Sequence, residues 1–141
     1  MEAMRVNESV CELNLASIEG LNRNNLQHEA IEDLPLIYSM KVSTLCFLDL
    51  SGNGLTDRGA LTISNALVSN KALLSLKLSE NEITDEGMST IIEQLPQTKL
   101  RWLDISRNAI KDKGMTPLCD VLQRGRLSLE SLNISECGFE R

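Results

Sequence analysis

Aliphatic residues recur in one fixed pattern along most of the chain. Leucine or isoleucine occupies the first, fourth and sixth positions of four nine-residue segments. The alternation at the fourth and sixth positions, as at Leu48 and Leu50, has the period of two that is typical of a strand with one buried face. The segments superpose without gaps, and they are residues 45–53, 73–81, 100–108 and 129–137. Each segment therefore predicts one short, half-buried strand.

The last position of each segment is occupied by asparagine or cysteine. Asn53, Asn81 and Asn108 hold it in three segments and Cys137 holds it in the fourth. An amide can satisfy backbone groups where the chain leaves a strand and turns, which an aliphatic side chain cannot do. We therefore predict that these four residues form a structural ladder. A weaker fifth copy, residues 10–18, has isoleucine at this position.

A second signature, ending in Asp-x-Gly, follows each of the three asparagines. We predict that Asp57, Asp85 and Asp112 are helix N-caps, because a carboxylate there can accept hydrogen bonds from free backbone N–H groups. Apolar residues at helical spacing follow in the first two units, namely Leu61, Ile63, Ala66 and Leu67, and then Met88, Ile91, Ile92 and Leu95. Pro96 and Gly125 fit helix ends, and Pro117 fits the first turn of a helix, where proline is tolerated.

These units, which start 28, 27 and 29 residues apart, resemble the ribonuclease-inhibitor class of leucine-rich repeats. The resemblance covers residues 3–138. It implies a single α/β domain over residues 1–141. The domain would be a solenoid in the form of a horseshoe arc, with a parallel sheet of about five strands on the concave side and helices on the convex side. Residues 4–8 and 13–18 also resemble the first repeat of the tropomodulin capping domain. No actin-contact residue is carried over, because the later units follow the generic pattern.

Strand residues that point away from the core should form columns across the concave sheet. We define the aromatic column as Glu12, Phe47, Ser75, Trp102 and Ser131. Phe47 and Trp102 would stand two strands apart, roughly 10 Å. Exposed aromatic side chains often anchor interfaces, so this column predicts contact with a protein partner. The alternative is that a loop or another repeat covers both rings.

Three further columns carry charges whose sign alternates between neighbouring units. They are Asn14, Asp49, Lys77, Asp104 and Asn133; Ser17, Gly52, Glu80, Arg107 and Glu136; and Arg58, Glu86 and Lys113. Opposite charges on adjacent units keep the stack in register, although partner recognition is an alternative. The predicted partner-binding set is Phe47, Trp102, Asp49, Ser75, Lys77, Arg101, Asp104 and Arg107.

The net charge of −6 argues against a nucleic-acid or anionic-membrane partner, because both need a basic surface. No apolar run is long enough to span a membrane, and the first residues lack a secretory signal. The sequence thus predicts a soluble, cytoplasmic protein, with nuclear or cytoskeletal placement left open.

Candidate chemistry is sparse. The sequence has no nucleophile-elbow, phosphate-loop, zinc-protease or dinucleotide motif, so we expect no enzyme activity, no catalytic residue and no cofactor. His28 is predicted to be a surface residue. The four cysteines lack metal-ligand spacing, so we expect no metal site. Cys119 and Cys137 are predicted to be small core residues, and a disulfide between Cys11 and Cys46 is a minor alternative.

Both ends of the repeat array look incomplete. Residues 3–15 align with residues 66–78, inside a predicted helix, and the chain stops at Arg141 without a helix for the last unit. Three explanations stay open, namely a fragment of a longer array, a subunit whose ends are covered in an assembly, or self-association through the last strand.

The sequence therefore predicts a non-enzymatic module that binds a protein partner on its concave face. The main alternative is a structural subunit of a cytoskeletal, axonemal or other assembly that contacts its neighbours through uncapped ends. An actin-capping domain and a GTPase-activating domain that uses Arg58 or Arg107 are further alternatives.

Overall fold

Short parallel strands and helices alternate along the chain in the computed structural model, which describes residues 11–16, 44–125 and 127–139. The strands are β1 (Glu12–Asn14), β2 (Phe47–Asp49), β3 (Ser75–Lys77), β4 (Trp102–Asp104) and β5 (Ser131–Asn133). The helices are α1 (Asp57–Ser69), α2 (Asp85–Gln94) and α3 (Thr116–Gln123), with short 3-10 segments at Leu95–Gln97 and Asp112–Met115. The predictions for Ser17, Ile18, His28 and residues 3–10 lie outside the described residues.

The five strands form one parallel sheet in sequence order, from β1 to β5. Each strand pairs with the next at equivalent positions, so that Phe47 lies opposite Ser75 and Ser75 lies opposite Trp102. The outer pairs Glu12–Phe47 and Trp102–Ser131 complete the aromatic column. The predicted α/β fold and the predicted strand columns are confirmed.

The core lies between the sheet and the helices. Leu48, Leu76 and Leu103 project from the middle of three successive strands and are at most 2% exposed. On the helix side, the predicted stripe of α2 is confirmed, because Met88, Ile91, Ile92 and Leu95 are all buried. Burying a leucine or isoleucine stabilises a fold by about 1.5–3 kcal/mol, so the repeated aliphatic positions supply most of the driving force.

The apolar stripe predicted for α1 is wrong at Leu61, which is 47% exposed. The stripe that packs on the core is Ala60, Ile63 and Leu67, each at most 2% exposed. This spacing of three and four residues follows one face of a helix, and Leu61 lies beyond the edge of that face.

The side-chain amide of Asn81 joins two neighbouring units. Its Nδ2 donates to the carbonyl oxygens of Leu50, Leu78 and Ser79 at 3.2, 2.9 and 3.2 Å. Its Oδ1 accepts from the backbone N–H groups of Asn53 and Leu55, both at 3.0 Å. One buried amide therefore satisfies five backbone groups at the points where two strands end.

The Nδ2 group at this position makes equivalent bonds in two other units, whereas Asn53 Oδ1 has no hydrogen-bond partner within the described residues. Asn53 Nδ2 donates to Leu15 O and Asn108 Nδ2 donates to Leu78 O, each in the preceding unit. Within the residues that the structure describes, Cys137 makes one such contact, from its Sγ to Ile105 O at 3.5 Å. Because a thiol is a weak donor and offers one hydrogen, this junction is held more weakly than those formed by asparagine.

The prediction that Asp57, Asp85 and Asp112 are N-caps of their own helices is wrong. Each is instead the first residue of its helical segment, preceded by Thr56, Thr84 or Lys111 at the N-cap. The carboxylate of Asp57 reaches into the next unit. There it accepts from Thr84 N at 2.7 Å, from Thr84 Oγ1 at 2.6 Å and from Gly87 N at 3.0 Å. The aspartate of one unit therefore caps the helix of the next.

Asp85 repeats this arrangement one unit later, where it accepts from Lys111 N and Gly114 N at 2.7 and 3.0 Å. The close approach explains two of the three glycines of the Asp-x-Gly signature. A Cβ at Gly87 would lie 2.5 Å from Asp57 Oδ1, and one at Gly114 would lie 2.7 Å from Asp85 Oδ1. Glycine is required there because the carboxylate of the preceding unit occupies the space.

Helix ends follow the predicted proline and glycine positions. Pro117 lies in the first turn of α3, Pro96 lies in the 3-10 segment after α2, and Gly125 has a φ of +63° just past α3. The prediction that Cys119 is a core residue is wrong, because it is exposed. It lies on a side of α3 that no further helix covers in the described part of the chain. The residue at the same position of the preceding unit, Ile92, is buried.

We predict that Asn81→Ala lowers the free energy of unfolding by about 3 kcal/mol or more, because two backbone donors and several carbonyls lose their buried partner. Urea denaturation followed by circular dichroism measures the change. The control is Glu82→Ala at the exposed neighbouring position, for which we expect a change within about 0.5 kcal/mol. Equal effects of the two substitutions would contradict the role of the amide.

We predict that Gly87→Ala lowers the free energy of unfolding by about 2 kcal/mol, because the added methyl group overpacks the site. At an exposed helical position the same substitution would instead stabilise the helix by about 1 kcal/mol. The added methyl group would also disturb the bonds from Thr84 and Gly87 to Asp57. Gly138→Ala is the control, because the nearest atoms to its added Cβ lie at 3.6 Å. Thermal and urea unfolding compare the two, and a Gly87→Ala protein as stable as the parent would refute the steric argument.

Candidate protein-interaction surface

The aromatic column presents two rings on the face of the sheet opposite the helices. Trp102 is 44% exposed, and Phe47 is half-buried. The half-buried Ser75 stands between them on β3. Because adjacent strands lie about 4.8 Å apart, the small serine leaves a shallow gap between the two rings. The strand register alone thus brings together the two aromatic residues predicted as contacts.

Each ring is accompanied by a cation from a neighbouring residue. Lys77 Nζ lies 5.4 Å from the centroid of the Phe47 ring, and the Arg101 guanidinium lies 5.0 Å from the Trp102 ring. Arg101 is also fixed by Glu130, whose Oε1 accepts from Nε at 2.7 Å and from Nη2. Cation–π contacts of this kind orient the rings. The surface is therefore pre-shaped by contacts within the chain.

Two of the predicted contact residues, Asp49 and Asp104, direct their carboxylates into the chain itself. Asp49 is only 6% exposed, accepts from Ser51 N at 3.1 Å and pairs with Lys77 at 3.6 Å. Asp104 Oδ1 accepts from the backbone N–H and the hydroxyl of Ser106 at 3.0 and 2.7 Å. Both carboxylates thus have partners within the chain, which leaves them less available to a ligand than the rings.

Arg107 bridges two carboxylates from the units on either side. Its Nη1 lies 2.6 Å from Glu80 Oε1, and its Nε lies 3.1 Å from Glu136 Oε2. The hydrogen bond to Glu80, followed by that to Glu136, raises the pKa of the Arg107 guanidinium above its ordinary value. A raised pKa means that the contribution of this cation is present below that value and is lost only as the pH rises through it. Since arginine does not deprotonate in proteins, raising the pH does not remove the cation of the bridge.

The backbone of this bridge is also unusual. Glu80, Arg107 and Glu136 have φ values of 56°, 54° and 54°, and the equivalent Gly52 has 71°. All four lie in the left-handed region, where the chain turns after each strand. Because Glu80, Arg107 and Glu136 share this backbone conformation, their side chains form one row across neighbouring units. Each positive charge in the row therefore lies next to a negative charge. The column of Arg58, Glu86 and Lys113 stays a prediction.

A cleft at the amino-terminal edge of the sheet was not predicted from the sequence. Lys71, Lys99, Arg101 and Glu130 line it together with leucines from three units, and its volume is about 600 Å³. We call it the amino-edge cleft. The residues just before the strands carry its charges. Arg101 belongs to the predicted partner-binding set, whereas Lys71 and Lys99 were missed. Their location just before a strand is the signal in the sequence that could have identified them.

The structure offers little toward metal or thiol chemistry. Among the residues that it describes, no group of three or more His, Cys, Asp or Glu side chains could hold a metal ion. Cys11, Cys46, Cys119 and Cys137 are all free thiols, and Cys137 packs against the core as predicted. No helix in the described ranges is long and apolar enough to cross a membrane.

Comparison with known proteins places the repeats in context. Residues 43–64, 69–91 and 97–119 match the family described as Leucine Rich repeat. The chain is similar to NACHT, LRR and PYD domains-containing protein 14 of Mus musculus, with 34% identity over 103 residues, or 72% of this chain and 10% of that protein. It is also similar to NACHT, LRR and PYD domains-containing protein 13 of Homo sapiens, with 32% identity over 134 residues, or 94% of this chain and 12% of that protein.

A third relative is Rho GTPase-activating protein gacW of Dictyostelium discoideum, with 37% identity over 86 residues, or 60% of this chain and 7% of that protein. The chain therefore spans about a tenth of the length of these relatives. Among solved structures, Leiomodin-1 Actin-Binding Site 2 (ABS2) superposes with a TM-score of 0.69 and 19% identity, covering 96% of this chain and 73% of that chain. This likeness shows a shared fold.

Proposed function

The chain is a leucine-rich repeat protein, and from that premise we propose that it is a non-enzymatic module that binds a protein partner on the concave face of its sheet. The repeat is generally an interaction fold, which supports the coarse statement. The choice of face depends on one observation, which is that Trp102 is 44% exposed in the same column as Phe47. The charged groups around this column largely pair with each other.

Two features of this surface suit a partner. Tryptophan and arginine are the residue types enriched at the energetic centres of interfaces, and Arg101 is already stacked on Trp102. The small Ser75 separates the two rings, so a partner can contact both of them across one strand. Since the rings are held by their cations before binding, a partner loses little entropy in ordering them.

The internal pairing of charges argues against the GTPase-activating alternative at Arg107. An arginine finger must extend to the transferring phosphoryl group. Arg107 is instead held between Glu80 and Glu136, and withdrawing it would leave both carboxylates without their cation. The relationship to gacW covers 7% of that protein, so its activity does not transfer to this chain.

We expect Trp102→Ala to weaken capture of the partner by about 30-fold, the equivalent of about 2 kcal/mol at a central aromatic contact. Partners can be recovered by photo-crosslinking through an artificial residue at Ser75 and then measured by isothermal titration calorimetry. Actin is one partner to include, because Leiomodin-1 Actin-Binding Site 2 (ABS2) has the same fold.

Leu61→Ala is the matched control for this experiment. Leu61 is an apolar residue of nearly the same exposure, 47%, on helix α1. It should leave the affinity unchanged, and circular dichroism should show both variants folded. If Trp102→Ala binds as tightly as the parent chain, or if Leu61→Ala has the same effect, the concave-face proposal is wrong.

A second candidate function is that of a structural subunit that contacts a neighbour through the flank of α3. Leu122 is 58% exposed there, whereas the equivalent Leu67 and Leu95 of the preceding units are buried. An apolar side chain at this position is suited to packing against a further helix.

For this second candidate we predict concentration-dependent association in multi-angle light scattering, abolished by Leu122→Glu because burying the carboxylate is unfavourable. Leu61→Glu is the control on another exposed helical position and should leave association unchanged. A chain that stays monomeric at high concentration would rule out self-association through this flank.

A further inference from the structure

The amino-edge cleft is a separate feature from the aromatic column. Its floor contains Leu127 and Leu129, and its charged groups are Lys71, Lys99, Arg101 and Glu130. Three cations against one carboxylate leave a net charge of +2 at this site, on a chain whose net charge is −6. The cleft is therefore a local exception to an acidic surface.

Two of the three cations are held in place by the chain. Lys71 Nζ donates to Val68 O and Gln97 O at 2.8 and 3.0 Å, which leaves one of its three N–H bonds for another acceptor. Arg101 donates to Glu130 through Nε and Nη2, which leaves Nη1 unused in that pair. Fixed donors reduce the entropy lost when an anion binds.

The third cation, Lys99, differs from the other two. It is exposed and, within the residues that the structure describes, forms no hydrogen bond or ion pair. Its charge has no internal partner, unlike the charges of the Glu80–Arg107–Glu136 bridge. Lys99 is thus the group in the cleft that is most available to an anionic ligand.

We propose that the amino-edge cleft binds an acidic peptide segment of a partner protein, with carboxylates on Lys71, Lys99 and Arg101 and an aliphatic side chain against the leucines. A peptide fits better than a nucleic acid, because it offers an aliphatic side chain to the leucines of the cleft, whereas a nucleic acid needs an extended basic surface and the chain has a net charge of −6. This inference shares Arg101 with the concave-face proposal but depends on Lys99, which is not part of that surface.

The test uses a short fluorescein-labelled peptide that alternates glutamate with leucine, measured by fluorescence anisotropy on the full chain. We expect saturable binding that weakens as salt rises, because the contacts are partly exposed. Lys99→Glu should reduce the affinity by about tenfold or more, since it reverses a charge beside the ligand. Lys99→Ala should reduce it in the same direction by a smaller factor.

Lys113→Glu is the matched control, because Lys113 is an exposed lysine in the 3-10 segment before α3 and gives the same change of net charge. It should leave the affinity within about twofold of the parent chain, since it does not line the cleft. The same peptide with glutamine in place of glutamate should not bind.

Several results would overturn the proposal. These are an absence of peptide binding to the parent chain, an unchanged affinity in Lys99→Glu, an equal loss in Lys113→Glu, or equal binding of the glutamine peptide. Binding of an oligodeoxythymidylate as tight as that of the acidic peptide would assign the cleft to nucleic acid instead. None of these outcomes depends on Trp102, so failure here leaves the concave-face proposal intact.

Discussion

A buried asparagine amide shared by two neighbouring units is the interaction on which the rest of the structure depends. At Asn81 it satisfies carbonyls of its own strand end and of the preceding one, and it accepts from two backbone N–H groups of the preceding unit. Buried backbone groups without partners are costly, so this amide fixes where each strand ends relative to the last. The aromatic column exists because that offset is the same in every unit.

A second tie acts where the helices begin. The aspartate at the start of one helix caps the next, and the glycine beside it leaves room for the carboxylate. The units are therefore joined both at the strand ends and at the helix starts, and a change at one junction affects both of its neighbours. Such a scaffold holds its exposed side chains in place before any ligand arrives, which is the condition under which a few aromatic and cationic groups can give useful affinity.

The distribution of charge separates structural groups from candidate binding groups. Most charges near the sheet are paired between units, as in the bridge through Arg107 and the pair of Asp49 with Lys77. Pairs of this kind contribute modestly to stability at a surface, and they cancel the local field. Among the described residues of the concave face and the amino-edge cleft, Trp102 keeps a partly exposed ring and Lys99 keeps an ammonium without an ion-pair partner, and these two groups support the two binding proposals.

The sequence by itself determined the repeat, the α/β fold and the residues that share each strand column, because equal spacing of leucines forces parallel strands into one register. It also indicated Pro96, Pro117 and Gly125 as helix boundaries through local backbone chemistry. Only the tertiary structure decided that Asp57 caps a helix of the next unit, that Cys119 is exposed while the equivalent Ile92 is buried, and that Lys71, Lys99 and Glu130 meet in one cleft. Those features depend on contacts between residues of different units, such as Thr84 and Asp57, which are 27 residues apart. The pattern within a single unit does not indicate which neighbouring unit will cover a given side chain.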